Sequence, residues 1–385
     1  MDRFDVAVIG AGPAGSRVAW RLARAGARVG ILDGSHPREK PCGGGVTGRA
    51  LGIVRDALDG AALGEAVIRG ASFEGGSRTV RVGFEDSSAT RPDLVVAPRT
   101  QFDGALLSAA QHAGARHIAA RVTDVRRESS EWQVVTRDFS VRTRWLLGAD
   151  GANSLVRRKV SAPFARADLS IATGFYVRGV TSPDIAVAFE TRPPGYLWSF
   201  PRRDHLAVGV CAQADDSSTA SLLPLASRWI ARNVAGPLAL ERYSWPIPSL
   251  REAAVRREVP AGPGWMLLGD AGGMVDPITR EGIFFAVLSA DIAADCLIAA
   301  GTDPAVRYAA RIRATIYDEL VRAARIKASF FNPRFTGRLI RALETSAAVR
   351  HVMIDLIAGR QPYRGLRRRL LATMELQLMI DLLRE

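Results

Sequence analysis

FDVAVIGAGPAG, residues 4–15, carries a continuous apolar run into three closely spaced glycines. The apolar run suits a strand buried on both faces of a parallel sheet. Gly10, Gly12 and Gly15 have the spacing G-x-G-x-x-G, and SRVAWRLARAG after them reads as an amphipathic helix. ARVGILD is then a second strand, and Asp33 ends it about twenty residues beyond the glycines. Strand, glycine turn, helix, strand and terminal acid in that order predict a dinucleotide-binding βαβ unit. Gly10 and Gly12 let the backbone turn and approach a pyrophosphate, and Gly15 lets helix pack on strand. Pro13 and Ala14 open the helix whose N-terminal amides face the phosphates, while Asp33 takes the ribose hydroxyls.

A second G-x-G-x-x-G, formed by Gly43, Gly45 and Gly48 within REKPCGGGVTG, is a decoy. Pro37 and Pro41 before it oppose a regular strand, and no βαβ unit frames it. One dinucleotide is therefore expected to stay bound, and a second only to visit.

The chain has 385 residues, 48% of them hydrophobic, enough for a large core. Its first residues show no basic and apolar leader, and no apolar run approaches the roughly 20 residues of a bilayer crossing. Three distant cysteines suggest neither a disulfide framework nor a metal site, so a cytoplasmic location without metal is expected. The net charge of +13 comes almost wholly from Arg, as GC-rich coding produces, and no nucleic-acid module accompanies it. Residues 301–385 nevertheless hold 16 Lys and Arg against 8 Asp and Glu. With apolar stretches beside the Arg clusters, this region reads as a peripheral membrane contact or as a solvated helical face.

Farther along, RTQFDGALLSAAQHAGA reads as a helix from Arg99. VRTRWLLGADGANSLVRR and WMLLGDAGGMVDPITREGIFFAVLSADIAADCLIA each run a strand into a glycine turn. Those turns place Asp150, Gly269 and Asp270 at strand C-terminal ends, where α/β sheets keep their ligands, and a long helix is expected to open near Thr279. Residues 161–255 are different in texture, with SIATGFYVRGV, DIAVAFE, GYLWSFP and HLAVGVCAQ as short strands of an antiparallel layer. The expected class is α/β: a Rossmann-type domain over 1–75, 95–160 and 256–300, an inserted β-sheet substrate domain over 76–94 and 161–255, and a helical region over 301–385.

These pieces together resemble the FAD-dependent flavoprotein group that contains p-hydroxybenzoate hydroxylase, and within it the geranylgeranyl reductase family. GAGPAG with Asp33, GADGANSLVRR and GDAGGMVDPITREGI are similar to the wider group, while PCGGG and YLWSFP are similar to the reductases' narrower marks. The resemblance covers residues 4 to about 300. It implies bound FAD, NADPH or a reduced ferredoxin as transient electron donor, and saturation of carbon-carbon double bonds in long prenyl chains. It also implies cofactor contacts from Cys42, Gly43, Gly44, Gly45, Arg99, Asp150, Gly269, Asp270, Gly282 and Ile283. Many relatives have Thr-Gly-Glu-Gly where this chain has Thr279, Arg280, Glu281 and Gly282.

Each assignment has a plainer alternative. Asp150 is a cofactor ligand or a turn cap, and Arg99 a cofactor contact or a solvated helix start. Tyr196, Trp198 and Phe200, at period two on one strand face, form an aromatic wall for the substrate or ordinary sheet core. Cys42 is the proton donor for alkene reduction or a packed thiol. The rival activity on this fold is an FAD-dependent monooxygenase or epoxidase; a halogenase and a non-enzymatic flavoprotein are weaker readings.

Overall fold

β1 (Arg3–Ile9) lies in the middle of an eight-stranded sheet, between β2 (Val29–Leu32) and the strand Ser140–Gly148, parallel to both. The computed structural model describes residues 2–84, 93–301 and 303–373. Val6–Ile9 and all of β2 are buried, as their unbroken apolar composition requires. Arg116–Ile118 extends one edge and Trp265–Leu267 with Ala261–Gly262 the other. Val122–Glu128 and Glu131–Thr136 add an antiparallel hairpin beside Ser140–Gly148. Helix α1 (Pro13–Arg24) packs with the helices Arg99–His112 and Ile283–Ile298 over one face. Arg17 of α1 is buried and binds Asp291 at 2.6 Å and Asp56 at 2.5 Å, tying three helices together through one guanidinium.

The second sheet has seven strands in the order Ala239–Pro248, Leu169–Arg178, His205–Gln213, Pro194–Pro201, Asp184–Thr191, Gly70–Gly75 and Arg78–Gly83. Its pairs are antiparallel except Asp184–Thr191 with Gly70–Gly75. The helix Thr219–Asn233 covers one face around Leu222, Ala226 and Trp229. The C-terminal helices Asp318–Phe330, Pro333–Thr345 and Ala347–Ile357 lie over the other. A small sheet of Gly45–Thr47, Leu94–Val96 and Ala66–Val67 sits between the two.

Several boundaries differ from the sequence expectation. Gly70–Gly75 belongs to the second sheet, so a border at 75 cuts a hairpin; the two turn residues after it hid the pairing of Gly70–Gly75 with Arg78–Gly83. The helix Glu252–Arg257 runs across the border set at 256. Helices Gly48–Leu58 and Thr219–Asn233 were not anticipated. Of the expected stretches, residues 85–92 and 374–385 lie outside the described residues. No described helix is long and apolar enough to cross a membrane.

The glycine turn at the end of β1 is a backbone contact. A Cβ at Gly15 would stand 1.9 Å from the Gly10 carbonyl oxygen, and one at Gly10, where φ is +101°, would stand 2.4 Å from that of Ala149. Gly15→Ala is therefore expected to destabilise the fold by at least about 1–3 kcal/mol, the usual range for overpacking, since backbone cannot yield as a flexible side chain does. Thermal unfolding within 1 °C of wild type would contradict this.

Candidate functional site

A cavity of about 250 Å³ opens between the two sheets at the C-terminal end of β1. One end is built from Pro13, the loop Lys40–Gly45, Arg99, Asp270 and the turn Thr279–Ile283. The other is apolar, with Phe73, Ile185, Val187 and Phe189 from the sheet and Phe330, Phe331, Met353 and Leu356 from the C-terminal helices.

Two helix N-termini mark the polar end. Helix α1 begins after Gly12 and the helix Ile283–Ile298 after Gly282, and neither has a capping side chain or an acidic residue in its first turn. Their first amides stay available to an anion, which fits a dinucleotide pyrophosphate at one and an electron-rich ring edge at the other. The second helix opens at Ile283, four residues later than expected. Asp276 Oδ1 accepts from the Ile278 and Thr279 amides at 2.7 and 3.0 Å, and Glu281 N–H bonds to Thr279 Oγ1, making residues 276–282 a turn. Arg280 takes φ +61° in that turn, a left-handed conformation that glycine adopts without strain. Glu281 accepts from Thr47 Oγ1 at 2.6 Å and pairs with Arg49, fastening the turn to the small sheet.

Asp33 stands at the end of β2 as expected, and its carboxylate is already engaged. Oδ2 accepts from the Ala11 amide at 2.9 Å and meets His36 Nδ1 at 2.7 Å. The carboxylate thus also holds the glycine loop. His36 Nε2 lies 3.4 Å from Asp103 Oδ2, and Asp103 forms a two-pronged pair with Arg99 at 2.8 and 2.7 Å. Arg99 Nη1 in turn donates to Cys42 Sγ at 3.5 Å. A chain of charged contacts therefore joins the ribose-side acid to the cavity thiol. Burial lowers the proton affinity of His36, but Asp103 and Asp33 outweigh it and raise it; burial raises that of Asp103, and Arg99 outweighs it. Arg99 is no solvated helix start: it is buried.

Asp270 projects into the cavity and forms an ion pair with Lys40 Nζ at 2.8 Å, a partnership that nothing in the sequence signalled. Asp150 takes the turn-cap role. Oδ2 accepts from the Leu155 and Val156 amides at 2.7 and 3.2 Å and Oδ1 from Ser154 Oγ at 2.5 Å, so both oxygens serve the helix Leu155–Val160.

The glycines of PCGGG lie against side chains of the second sheet and its end. A Cβ at Gly43 or Gly45 would stand 2.7 or 2.8 Å from the Phe200 ring, and one at Gly44, with φ +82°, 2.4 Å from Arg202 Nη2. Their missing side chains make room for YLWSFP and the arginine after it. Arg202 is buried, donating to Ala97 O at 2.5 Å and pairing with Glu39 at 3.1 Å, and sequence reasoning passed over it because it reads as a hairpin residue. Tyr196, Trp198 and Phe200 all line the cavity. The Tyr196 hydroxyl donates to Thr279 O at 2.7 Å, and its ring stacks on Phe331 with centroids 6.3 Å apart.

Lys327 lies behind this wall, donating to Ser249 Oγ at 2.8 Å and to Gln213 Oε1. Burial, with repulsion from Arg280, brings its proton affinity down to about 6 from the ordinary 10.5. Between those two values the unfolded chain holds a proton that the native chain does not, so this group's cost to stability grows as pH falls through that window. Lys327→Met removes the cost. Its unfolding midpoint relative to wild type should rise steadily as pH is lowered from about 10 to about 6, in thermal melts across that range; a pH-independent difference would contradict the assignment.

Residues 3–242 match the family described as FAD binding domain. The chain is 31% identical over 326 residues to a menaquinone reductase of Mycolicibacterium smegmatis, covering 78% of this chain and 77% of that protein. It is 28% identical to a geranylgeranyl diphosphate reductase of Rhodobacter capsulatus, covering 77% and 75%. The fold is shared with a geranylgeranyl bacteriochlorophyll reductase-like protein from Thermoplasma acidophilum, at a TM-score of 0.78 and 22% identity over 97% of this chain and 100% of that one. On the strength of these matches and of a glycine turn shaped for a dinucleotide, the protein belongs to the geranylgeranyl reductase family of FAD-dependent oxidoreductases.

Proposed function

We propose that this flavoprotein saturates a carbon-carbon double bond of a prenyl chain held in the cavity. The observation that carries the reading is the division of that cavity, with cofactor-type residues at one end and a long apolar wall at the other. The name of the Rhodobacter relative, a geranylgeranyl diphosphate reductase, supports it. In this reading the second sheet and the C-terminal helices form the substrate-binding unit, and Tyr196, Trp198 and Phe200 hold the chain.

Gly12, Pro13 and the α1 amides would hold the pyrophosphate of FAD, Asp33 its adenosine ribose and Asp270 its ribityl hydroxyls, and the flavin, reduced by NADPH or a reduced ferredoxin, would supply hydride to one alkene carbon. Phe330, Phe331 and Met353 exclude water from the chain. The Cys42 thiol gives its proton to the second alkene carbon, and the Arg99 guanidinium beside Sγ stabilises the thiolate left behind. Tyr196 is a poor rival donor, because its hydroxyl proton is committed to Thr279 O and burial raises its proton affinity well above the ordinary value. The positive charge of the C-terminal part favours entry of a lipid chain from an anionic membrane surface.

Asp270→Ala should purify with a clearly reduced flavin-to-protein absorbance ratio, since a charge-assisted contact is typically worth ~1.5–3 kcal/mol; full occupancy would exclude the ribityl role. Cys42→Ala should keep FAD and accept electrons, yet pass them to geranylgeranyl substrates at least ~10-fold more slowly. Anaerobic stopped-flow oxidation of the reduced protein reads this directly, and a wild-type rate would make Cys42 a packing residue. The same reduced wild-type protein mixed with oxygen and the geranylgeranyl substrate together tests the monooxygenase alternative, which requires an oxygenated product.

A further inference from the structure

The cavity wall holds one cation, Arg280, that no carboxylate pairs with among the described residues, and the buried amine of Lys327 lies behind that wall. Arg280 lines the cavity with the Cys211 thiol beside its guanidinium, yet its Nε and Nη1 are buried without a well-formed hydrogen bond. Neither Arg280 nor Lys327 forms a salt bridge among the described residues, and the two acceptors at Lys327 Nζ, Ser249 Oγ and Gln213 Oε1, are neutral. Lys327 precedes Phe330 and Phe331 by about one helical turn, so it stands just beneath the aromatic wall. The other groups around it do not supply a counter-charge. Arg251 adds to the repulsion, Asp215 is paired with Arg251, and the Cys211 thiol is kept protonated by burial. A left-handed arginine with unsatisfied buried donors, backed by a desolvated lysine amine that burial keeps short of a proton, is an arrangement that a bound anion relieves.

We propose that Arg280, with Lys327 behind it, receives an oxyanion of the ligand, so that the substrate is an acidic amphiphile whose apolar chain lies along the aromatic wall and whose carboxylate or phosphate meets the guanidinium. The apolar half of this statement rests on the prenyl reading; the anionic half does not. The planar guanidinium offers a fork of donors to two oxygens of the anion. As the anion arrives, Lys327 takes up a proton that burial and Arg280 otherwise keep off it, so affinity should strengthen as pH falls from about 8 toward about 6.

The test uses the FAD-loaded protein and calorimetric titration with geranylgeranyl diphosphate, geranylgeranoic acid, geranylgeraniol and a short aromatic carboxylate. Either C20 anion should bind at least about tenfold more tightly than the alcohol, and the comparison of diphosphate with carboxylate identifies the anion's source. Arg280→Gly, which suits the local backbone, should retain FAD and bring the anions to the alcohol's affinity. Lys327→Met should keep a preference for anions and lose its strengthening at low pH. Equal binding of acid and alcohol by wild type overturns the proposal and leaves the prenyl reading standing. Arg280-dependent binding of the aromatic acid with no binding of any C20 probe supports the anion site and overturns the prenyl reading, and no binding of any probe overturns both. An Arg280→Gly protein that shifts the ligand-free flavin spectrum while keeping full discrimination assigns the guanidinium to the cofactor and also overturns the proposal.

Discussion

Backbone contact between Gly10, Gly15 and Ala149 is the constraint on which the rest of the structure depends. It brings the end of β1, the start of α1 and the end of Ser140–Gly148 to one point, closer than any side chain would allow. The α1 amides consequently face a groove rather than a packed side chain, and the turns carrying Asp270 and Gly282 converge on the same edge. Binding of an anionic dinucleotide there follows from geometry that a single methyl group would destroy.

A second close approach joins the two sheets. Gly43, Gly44 and Gly45 lie against Phe200 and Arg202, and the buried Arg202 guanidinium ties Ala97 and Glu39 to the strand end. Loop and aromatic strand are therefore one packing unit, which accounts for both being needed to enclose the cavity. The far wall comes from the C-terminal helices, with Phe331 stacked on Tyr196 and the Tyr363 hydroxyl donating to Asp276 at 2.8 Å beneath the Thr279–Gly282 turn. The apolar space thus closes only when three distant parts of the chain meet.

Charge is distributed unevenly around that space. On the loop side, Asp33, His36, Asp103 and Arg99 alternate acid and base in one run of contacts that ends at the Cys42 thiol. On the sheet side, Arg280 and Lys327 have no such partners, and the desolvation of the lysine is strong enough to keep it largely neutral near pH 7. The same low dielectric that makes the first group rigid makes the second group a cost to the empty protein.

Much of this was legible along the chain. The glycine spacing with Asp33 predicts β1, α1 and β2 because a βαβ unit is local, and alternation in YLWSFP predicts one strand face because the pleat has period two. Asp150 had two chemically equivalent uses, and the cap became visible only with the position of the Leu155 and Val156 amides. Lys40 with Asp270 is separated by 230 positions, and Arg202 with Ala97 by 105. The domain border expected at 75 falls inside a hairpin, because the parallel partner that ties Gly70–Gly75 to the second sheet lies more than a hundred residues away. Sequence alone determined which local units exist and that a dinucleotide is bound, since spacing and periodicity encode contacts between near neighbours. Tertiary structure alone decided which glycines face side chains, which carboxylates are spent on caps and which cations are left unpaired, because these depend on surfaces that meet only after the chain has folded.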